Sequence, residues 1–496
     1  MKRIQIFLVN AGILTATSLL ISSAGVWFNL YISEKLGAVG MGVFQLMMSV
    51  YSLTVTLASS GINLAATRLV AEETIRGGAG GRAAMRRCLA YSLFFGSLAG
   101  CALFFGANWV GTNWLHNEDT IRPLMVMALS MPLIGMSCAL TGYFTAVRRV
   151  AKSAASQILE SFLKITLTIF ALTFLMPEGL EHACLAITLS GVIAEGASFL
   201  FAYALYRVDS RRHQTPGAPS RGLTVRLLGI ALPVALSSYL RSGLATVKNL
   251  LVPVRLQAGG VAAGDSFAMF GLVHGVALPV ITFPYAFLNA FNALIVPELA
   301  QSHSQHQNVS RMIERMFQLT LFCAFGVCGV LFAFPHEIGA MVSQNPDTAV
   351  YIRLLAPVIP VMYLDTAVDN MLKGLNEQLS VMRYNVIDAF LSMLMVYALL
   401  PFWGIKGYII VICLSEVFNF SLSVGRLIKV TQFRFDLTER VVKPVLCIAI
   451  AVLVSRILMR GVPAAFLPLM RSVLLCGFAG SIYTGLLFLC GYFKRG

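Results

Sequence analysis

Two cations stand where a membrane would disfavour them. The run Leu223 to Leu256, LTVRLLGIALPVALSSYLRSGLATVKNLLVPVRL, is long and apolar enough to cross a bilayer, yet Arg241 and Lys248 lie in its interior. A charge near the bilayer centre costs roughly 2.5–3.5 kcal/mol on insertion scales, so such residues face a bundle interior, a partner or a water-filled cavity. About two helical turns separate the pair, which puts both on one face, and Arg255 continues that face to the far end. Arg68, embedded in another apolar run, can extend the positive field. Two readings stand. The cations can be neutralised by carboxylates of a neighbouring helix, for which Asp365 and Asp369, one turn apart, are available. They can instead form a cationic wall that receives an anionic substrate inside the membrane.

A second constellation is acidic and amidic. Asn385 and Asp388 are three residues apart and share a helical face, and Ser415 and Glu416 of the next run can approach them. Oxygen ligands of this kind suit Na⁺ or a proton, while the plainer alternative is a polar contact that pins two helices together. His274 lies mid-run with no evident partner and reads as a packed or hydrogen-bonded residue rather than a proton relay.

These residues need a scaffold, and the composition specifies it. With 57% hydrophobic and 12% charged residues over 496 positions, and a mean hydropathy of +0.78, the chain is a polytopic membrane protein. The net charge of +15 is no nucleic-acid signature, because the basic residues sit in short loops between apolar runs. The ten cysteines are scattered through apolar segments with no CxxC pair and no His at ligand spacing, so they imply neither disulfides nor a metal site, and no cofactor is expected. Lys2 and Arg3 precede an apolar run reaching to about Ile32, too long for a signal peptide and read as the first membrane helix.

Hydropathy gives about fourteen spans, at 4–32, 40–71, 84–106, 121–147, 153–176, 181–206, 223–256, 264–297, 310–334, 350–373, 379–400, 405–428, 440–460 and 466–492. Most of the 37 Lys and Arg fall on one side if both termini are cytoplasmic, among them Arg82, Arg86, Arg87, Arg148, Arg149, Arg211, Arg212, Arg440 and Lys494. The polar stretch RVDSRRHQTPGAPSR, Arg207 to Arg221, reads as a flexible cytoplasmic linker. The expected division is an N-lobe at 1–206, a linker at 207–222, a C-lobe at 223–430 and two appended helices at 431–496.

The lobes resemble each other internally. GVFQLMMSVYSLTVTLASSGINLAATRLVAEE aligns with AMFGLVHGVALPVITFPYAFLNAFNALIVPEL, pairing Asn63 with Asn289 and Glu72 with Glu298. A second alignment pairs Pro132 with Pro360, Gln157 with Asn385, and Glu160 with Asp388, at an offset of about 228 residues. About six spans separate the copies. An even number gives the two lobes the same membrane topology, related by a pseudo-two-fold along the membrane normal, with a substrate site at their interface. Gly61, Pro279 and Pro284 interrupt the long runs at comparable depth and are the hinge candidates.

LGAVGMGVFQLMMSVYSLTVTLASSGINLAATRLVAEE, GYFTAVRRVAKSAASQILE and MFGLVHGVALPVITFPYAFLNAFNALIVPELAQ resemble stage V sporulation protein B-like polysaccharide transporters, a branch of the multidrug/oligosaccharidyl-lipid/polysaccharide flippase superfamily. The resemblance covers nearly the whole chain. It implies fourteen helices in two lobes around a central cavity, alternating access, and movement of undecaprenyl-pyrophosphate-linked sugars across the bacterial plasma membrane. Lipid II flippases of this superfamily hold pyrophosphate with cavity arginines, and Arg241 and Lys248 correspond by location and chemistry. In GYFTAVRRV, Thr145-Ala146 stands where the family often has Gln-Gly.

A flippase or exporter of a lipid-linked anionic sugar therefore leads, with membrane lipids and Na⁺ or H⁺ as further partners. The nearest alternative is a cation-coupled multidrug exporter of the same fold, supported by embedded Glu160, Glu195, Asp365, Asp369, Asp388 and Glu416, although Lys164 one turn after Glu160 can neutralise it. A membrane glycosyltransferase or polymerase would need a catalytic carboxylate or His on a sizeable loop, and the outer loops are short. A non-transporting scaffold for wall or spore-envelope synthesis would lack a cationic cavity.

Overall fold

The computed structural model describes residues 2–76, 78–175, 179–212, 222–289, 299, 302, 309–432, 438–459, 468–490 and 492. Among these all regular structure is helical. Residues 213–221 of the expected linker, and Glu298, lie outside the described residues. In chain order the helices are α1 (Lys2–Ser59), α2 (Ile62–Arg76), α3 (Gly78–Trp109), α4 (Ile121–Ala128), α5 (Met131–Ala146), α6 (Val150–Leu175), α7 (Leu180–Arg212) and α8 (Leu223–Ala258). There follow α9 (Ala263–Gly271), a π-helical turn (Leu272–Ala277), α10 (Leu278–Thr282), α11 (Ser310–Ala333), α12 (Pro335–Val342), α13 (Asp347–Leu355), α14 (Ile359–Gly374), α15 (Gln378–Thr431), α16 (Lys443–Met459) and α17 (Pro468–Leu489).

Ten of the described helices are long and apolar enough to cross a membrane, or eleven when Glu118–Ala128 and Met131–Ala146, bent by 45°, form one span. The chain is a multi-pass helical membrane protein. The count differs from the expected fourteen partly because two pairs of expected spans run together. α1, at 58 residues, would reach about 87 Å if straight, nearly three times a hydrocarbon core of about 30 Å. It leaves helical geometry at Gly37 (φ 69°), and α15 does so at Gly404 (φ 57°), each within the short connection read from hydropathy.

Two compact units organise these helices, one containing 1–28 and 43–251, the other 29–42 and 252–496. In the first, Ile62, Leu69, Met85, Leu140 and Phe144 form a core with Leu227 and Ala231 of α8. Hydrogen bonds from Tyr239, Thr246 and Asn249 of α8 to the Ser49–Leu57 stretch of α1 fasten this part of α8 within the unit. In the second unit, Ile313, Phe317, Leu364, Val368, Met371 and Leu427 pack together.

Backbone details recur about 228 residues apart, in the register of the internal alignment. Asn117 Oδ1 accepts from Asp119 N at 2.9 Å, as Asn345 Oδ1 does from Asp347 N at 3.0 Å. α5 ends with Arg149 N donating to Phe144 O at 2.8 Å around a left-handed Arg148 (φ 58°). α14 ends with Glu377 N donating to Leu372 O at 2.8 Å around a left-handed Asn376 (φ 65°). Both are the doubly bonded C-terminal turn that usually requires glycine.

Candidate functional site

The face that α8 presents is set by its anchors. Tyr239, Thr246 and Asn249 bond to α1, and Ala231, Ala235 and Leu250 are buried on the same side. At 100° per residue, Arg241 and Lys248 fall on the opposite side. Arg241 is exposed, and among the described residues no carboxylate pairs with it. Lys248 is half-buried and engaged with its surroundings. Arg68 is likewise exposed, across α2 from the buried Ala66 and Val70.

Arg255 departs from this pattern. Its guanidinium lies 4.0 Å from the Tyr397 ring centroid, and Nε donates to Tyr397 O at 3.0 Å. The stripe of three cations predicted from spacing is thus two cations and a third group bound to an aromatic ring and a main-chain carbonyl.

The acids named as alternative partners of those cations are occupied within the second unit. Asn419 Nδ2 donates to Asp365 Oδ2 at 2.9 Å. Ser423 Oγ and Asn385 Nδ2 donate to the two oxygens of Asp369, each at 3.0 Å. Ser415 Oγ donates to Asp388 Oδ1 at 2.6 Å, the approach expected from their positions. Glu416 is also engaged. Two acceptors remain unmatched: Asp365 Oδ1 and Asn419 Oδ1 are buried without a hydrogen-bond partner among the described residues. A buried unpaired oxygen costs about 1–3 kcal/mol, and a proton or a small cation held between the two would remove that cost. Sequence spacing singled out Asn385, Asp388 and Glu416 but missed Asn419, because it lies 54 residues from Asp365 and no local signal links them.

The first unit has its own polar cavity, about 240 Å³, lined by Ser137, Thr141, Gln157, Glu160, Glu195 and Ser198 among others. Ser137 Oγ donates to Glu195 at 2.8 Å, and Lys164 lies 5.6 Å from the Phe28 ring while coupling electrostatically to both glutamates. His274, which had no evident partner in the sequence, sits in the π-helical turn with Nε2 2.5 Å from the Tyr408 hydroxyl and its ring stacked on Phe270.

The hinge candidates coincide with breaks. Gly61 takes φ +78° between α1 and α2, and an added Cβ would strike the Ala231 main chain, so both conformation and space demand glycine. Pro279 opens α10, and Pro284 lies in a turn that ends it. A helix break frees carbonyls that lipid cannot satisfy. Near Gly61 the Tyr239 hydroxyl donates to Leu57 O at 3.1 Å, and near Pro284 the Tyr363 hydroxyl donates to Ile281 O at 2.7 Å. Neither tyrosine was anticipated, since each comes from a distant helix.

Residues 7–287 match the family model described as polysaccharide biosynthesis protein, and residues 253–398 match the MatE model. Stage V sporulation protein B of Bacillus subtilis (strain 168) is 25% identical over 448 residues, covering 88% of this chain and 86% of its own. Solved structures share the fold, two membrane transport proteins among them. An inward-facing multidrug resistance MATE family transporter of the MOP superfamily superposes with a TM-score of 0.63 at 14% identity, over 84% of this chain and 99% of its own. The lipid II flippase MurJ, inward closed, gives 0.61 at 12% identity, over 96% and 99%.

Proposed function

Because the chain belongs to the polysaccharide biosynthesis protein family, we propose that it is a flippase for a lipid-linked anionic oligosaccharide or cell-wall precursor of the undecaprenyl-pyrophosphate type. It acts in the bacterial plasma membrane by alternating access, with about fourteen spans and both termini cytoplasmic. The observation that carries this reading is Arg241. An exposed arginine midway along an apolar helix, with no carboxylate paired to it among the described residues, retains its capacity for a phosphate oxygen. Lys248 stands two turns on along the same face, and Arg68 adds to the field. Arg255 serves as an anchor on Tyr397 rather than as a ligand.

Movement in this reading occurs at the breaks around Gly61, Pro279 and Pro284, between lobes at 1–206 and 223–430. Coupling to Na⁺ or H⁺ falls to the cluster of Asp365, Asn385, Asp388, Glu416 and Asn419, whose unmatched oxygens favour a positive guest. The same cluster supports the second reading, a cation-coupled multidrug exporter.

One experiment separates the readings: proteoliposome translocation of a fluorescent polyprenyl-pyrophosphate sugar, with organic-cation efflux measured in parallel. Arg241→Ala should weaken head-group binding by roughly ten- to a hundredfold, the equivalent of about 1.5–3 kcal/mol for a charge-assisted bond, with little change in thermal stability. Arg241→Lys should rescue only part, because the planar fork is lost. Organic-cation efflux without sugar translocation would transfer the assignment to the exporter, and inactivity in both arms would leave a scaffold.

A further inference from the structure

A second cationic site lies entirely within the first unit, away from Arg241. The ends of α2, α5 and α7 and the start of α3 enclose a cavity of about 230 Å³ lined by Thr74, Gly81, Arg82, Tyr143, Val147, Arg149, Asp209 and Ser210. Its floor is Asp209, whose side chain is only 2% exposed. That carboxylate accepts from the Tyr143 hydroxyl at 3.0 Å, from Lys152 Nζ at 2.6 Å and from Arg149 Nη1. Arg82 adds a third cation, and no carboxylate pairs with it among the described residues. Three cations thus face one acid.

The nearby Glu72 and Glu73 share one cation, Arg226, which leaves that group one charge negative and the whole neighbourhood, four cations and three acids, one charge positive. The left-handed turn at Arg148 aims the chain so that Arg149 and Lys152 meet over Asp209, a conformation a non-glycine residue adopts at a cost. Gly81 keeps the cavity open, since a Cβ there would come within 2.9 Å of the Thr74 hydroxyl. Tyr203 and Tyr206 flank the site, with Tyr206 against Tyr143 at 4.8 Å and Arg207 over Tyr203 at 5.8 Å. Tyrosine and arginine grouped at helix ends mark the depth of lipid headgroups.

We propose that this pocket binds a phosphate group, that of an anionic phospholipid at the membrane surface, with Arg82 as its principal ligand and the Arg149–Asp209–Lys152 cluster as a rigid positive base. The volume of about 230 Å³, nearly eight times the ~30 Å³ share of a water molecule, admits a phosphate but not a sugar chain. Basic pockets between membrane helices recognise phospholipid headgroups in this way.

The test uses the full-length protein in mixed micelles, with bound lipid counted by native mass spectrometry. Phosphatidylglycerol should be retained in preference to phosphatidylcholine, and Arg82→Gln should weaken that retention by about tenfold or more. Arg86→Gln, one turn along α3 and outside the cavity, should leave it unchanged. The pair Arg149→Gln with Asp209→Asn removes both halves of one ion pair and leaves the net charge unchanged, so it should preserve the fold and retain phosphatidylglycerol better than Arg82→Gln does. Inorganic phosphate supplies the second arm: displacement of the lipid by millimolar phosphate assigns the ligand to the phosphate alone, and retention in its presence assigns it to the whole headgroup. Equal retention of the two lipids by the wild type, or equal losses in the Arg82 and Arg86 variants, would overturn the proposal.

Discussion

The corner that ends α5 and the corner that ends α14 share one backbone and carry opposite charges. Both close with the same pair of hydrogen bonds around a left-handed residue, Arg148 in one and Asn376 in the other. The next residue is Arg149 in the first, turned onto a buried Asp209 of α7. In the second it is Glu377, which accepts from Arg426 of α15 at 3.0 and 2.6 Å. Backbone geometry has been kept where side-chain polarity has been reversed. The carboxylate has also moved in depth, since Asp209 is 2% exposed and Glu377 21%, while the two arginines are alike at 36% and 32%. The difference teaches that the corner needs an ion pair to hold two helix ends, but not a particular polarity, which leaves the local field free to serve a ligand.

Substitution can break the comparison. Asp209→Ala strands Arg149, Lys152 and the Tyr143 hydroxyl together and should lower unfolding stability by about 2–3 kcal/mol, read as a drop in Tm in detergent. Glu377→Ala should cost only about 0–1 kcal/mol, because its pair stays hydrated. Equal losses would mean that the two corners bear the same load and that depth does not matter.

The tyrosine caps offer a smaller contrast. Tyr363→Phe uncovers the carbonyl of the fully buried Ile281 and should cost about 1–3 kcal/mol, whereas Tyr239→Phe uncovers that of the part-buried Leu57 and should cost less. Hydrogen exchange at residues 281–287 and 57–65 checks this locally. Unchanged protection at 281–287 in Tyr363→Phe would show that the break satisfies itself.

The smallest effect is acid dependence. Hydrogen bonds from Arg426, and then from Ser380, hold the Glu377 carboxyl below its usual value. A depressed carboxylate contributes stability above its unfolded pKa, near 4.3, and loses it as pH falls through the folded value. Glu377→Gln should therefore flatten the acid limb of a Tm–pH curve below about pH 4, because it gives up at neutral pH the small stabilisation that the wild type loses only in acid.

Much of this was written locally in the chain. Apolar runs marked most of the membrane helices, Gly61 and Pro284 fall at breaks, and the matching Asn117 and Asn345 turns keep the offset of about 228 residues found in the internal alignment. Ser415 and Asp388 were brought together by reasoning about helix faces alone. What escaped was long-range pairing. Tyr408 lies 134 residues from His274, Tyr397 lies 142 from Arg255, and Asp209 lies 66 from Tyr143. Helical periodicity says which side a residue occupies, and says nothing about which distant helix covers that side. The connections holding Gly37 and Gly404 were legible as gaps between apolar runs, but the left-handed turn at each glycine was not.

The capped breaks also set an order of events during synthesis. The carbonyl of Leu57 receives its hydroxyl from a residue made 182 positions later, and that of Ile281 from one made 82 positions later. At about 5–20 residues per second, the first waits roughly 10–40 s for its partner and the second roughly 4–16 s. Throughout that interval lipid offers the exposed group no donor. The first helices must therefore wait beside water or the insertion machinery until α8 arrives, so the broken segment near Gly61 acts as a timer on assembly, released from its surroundings only when Tyr239 is in place.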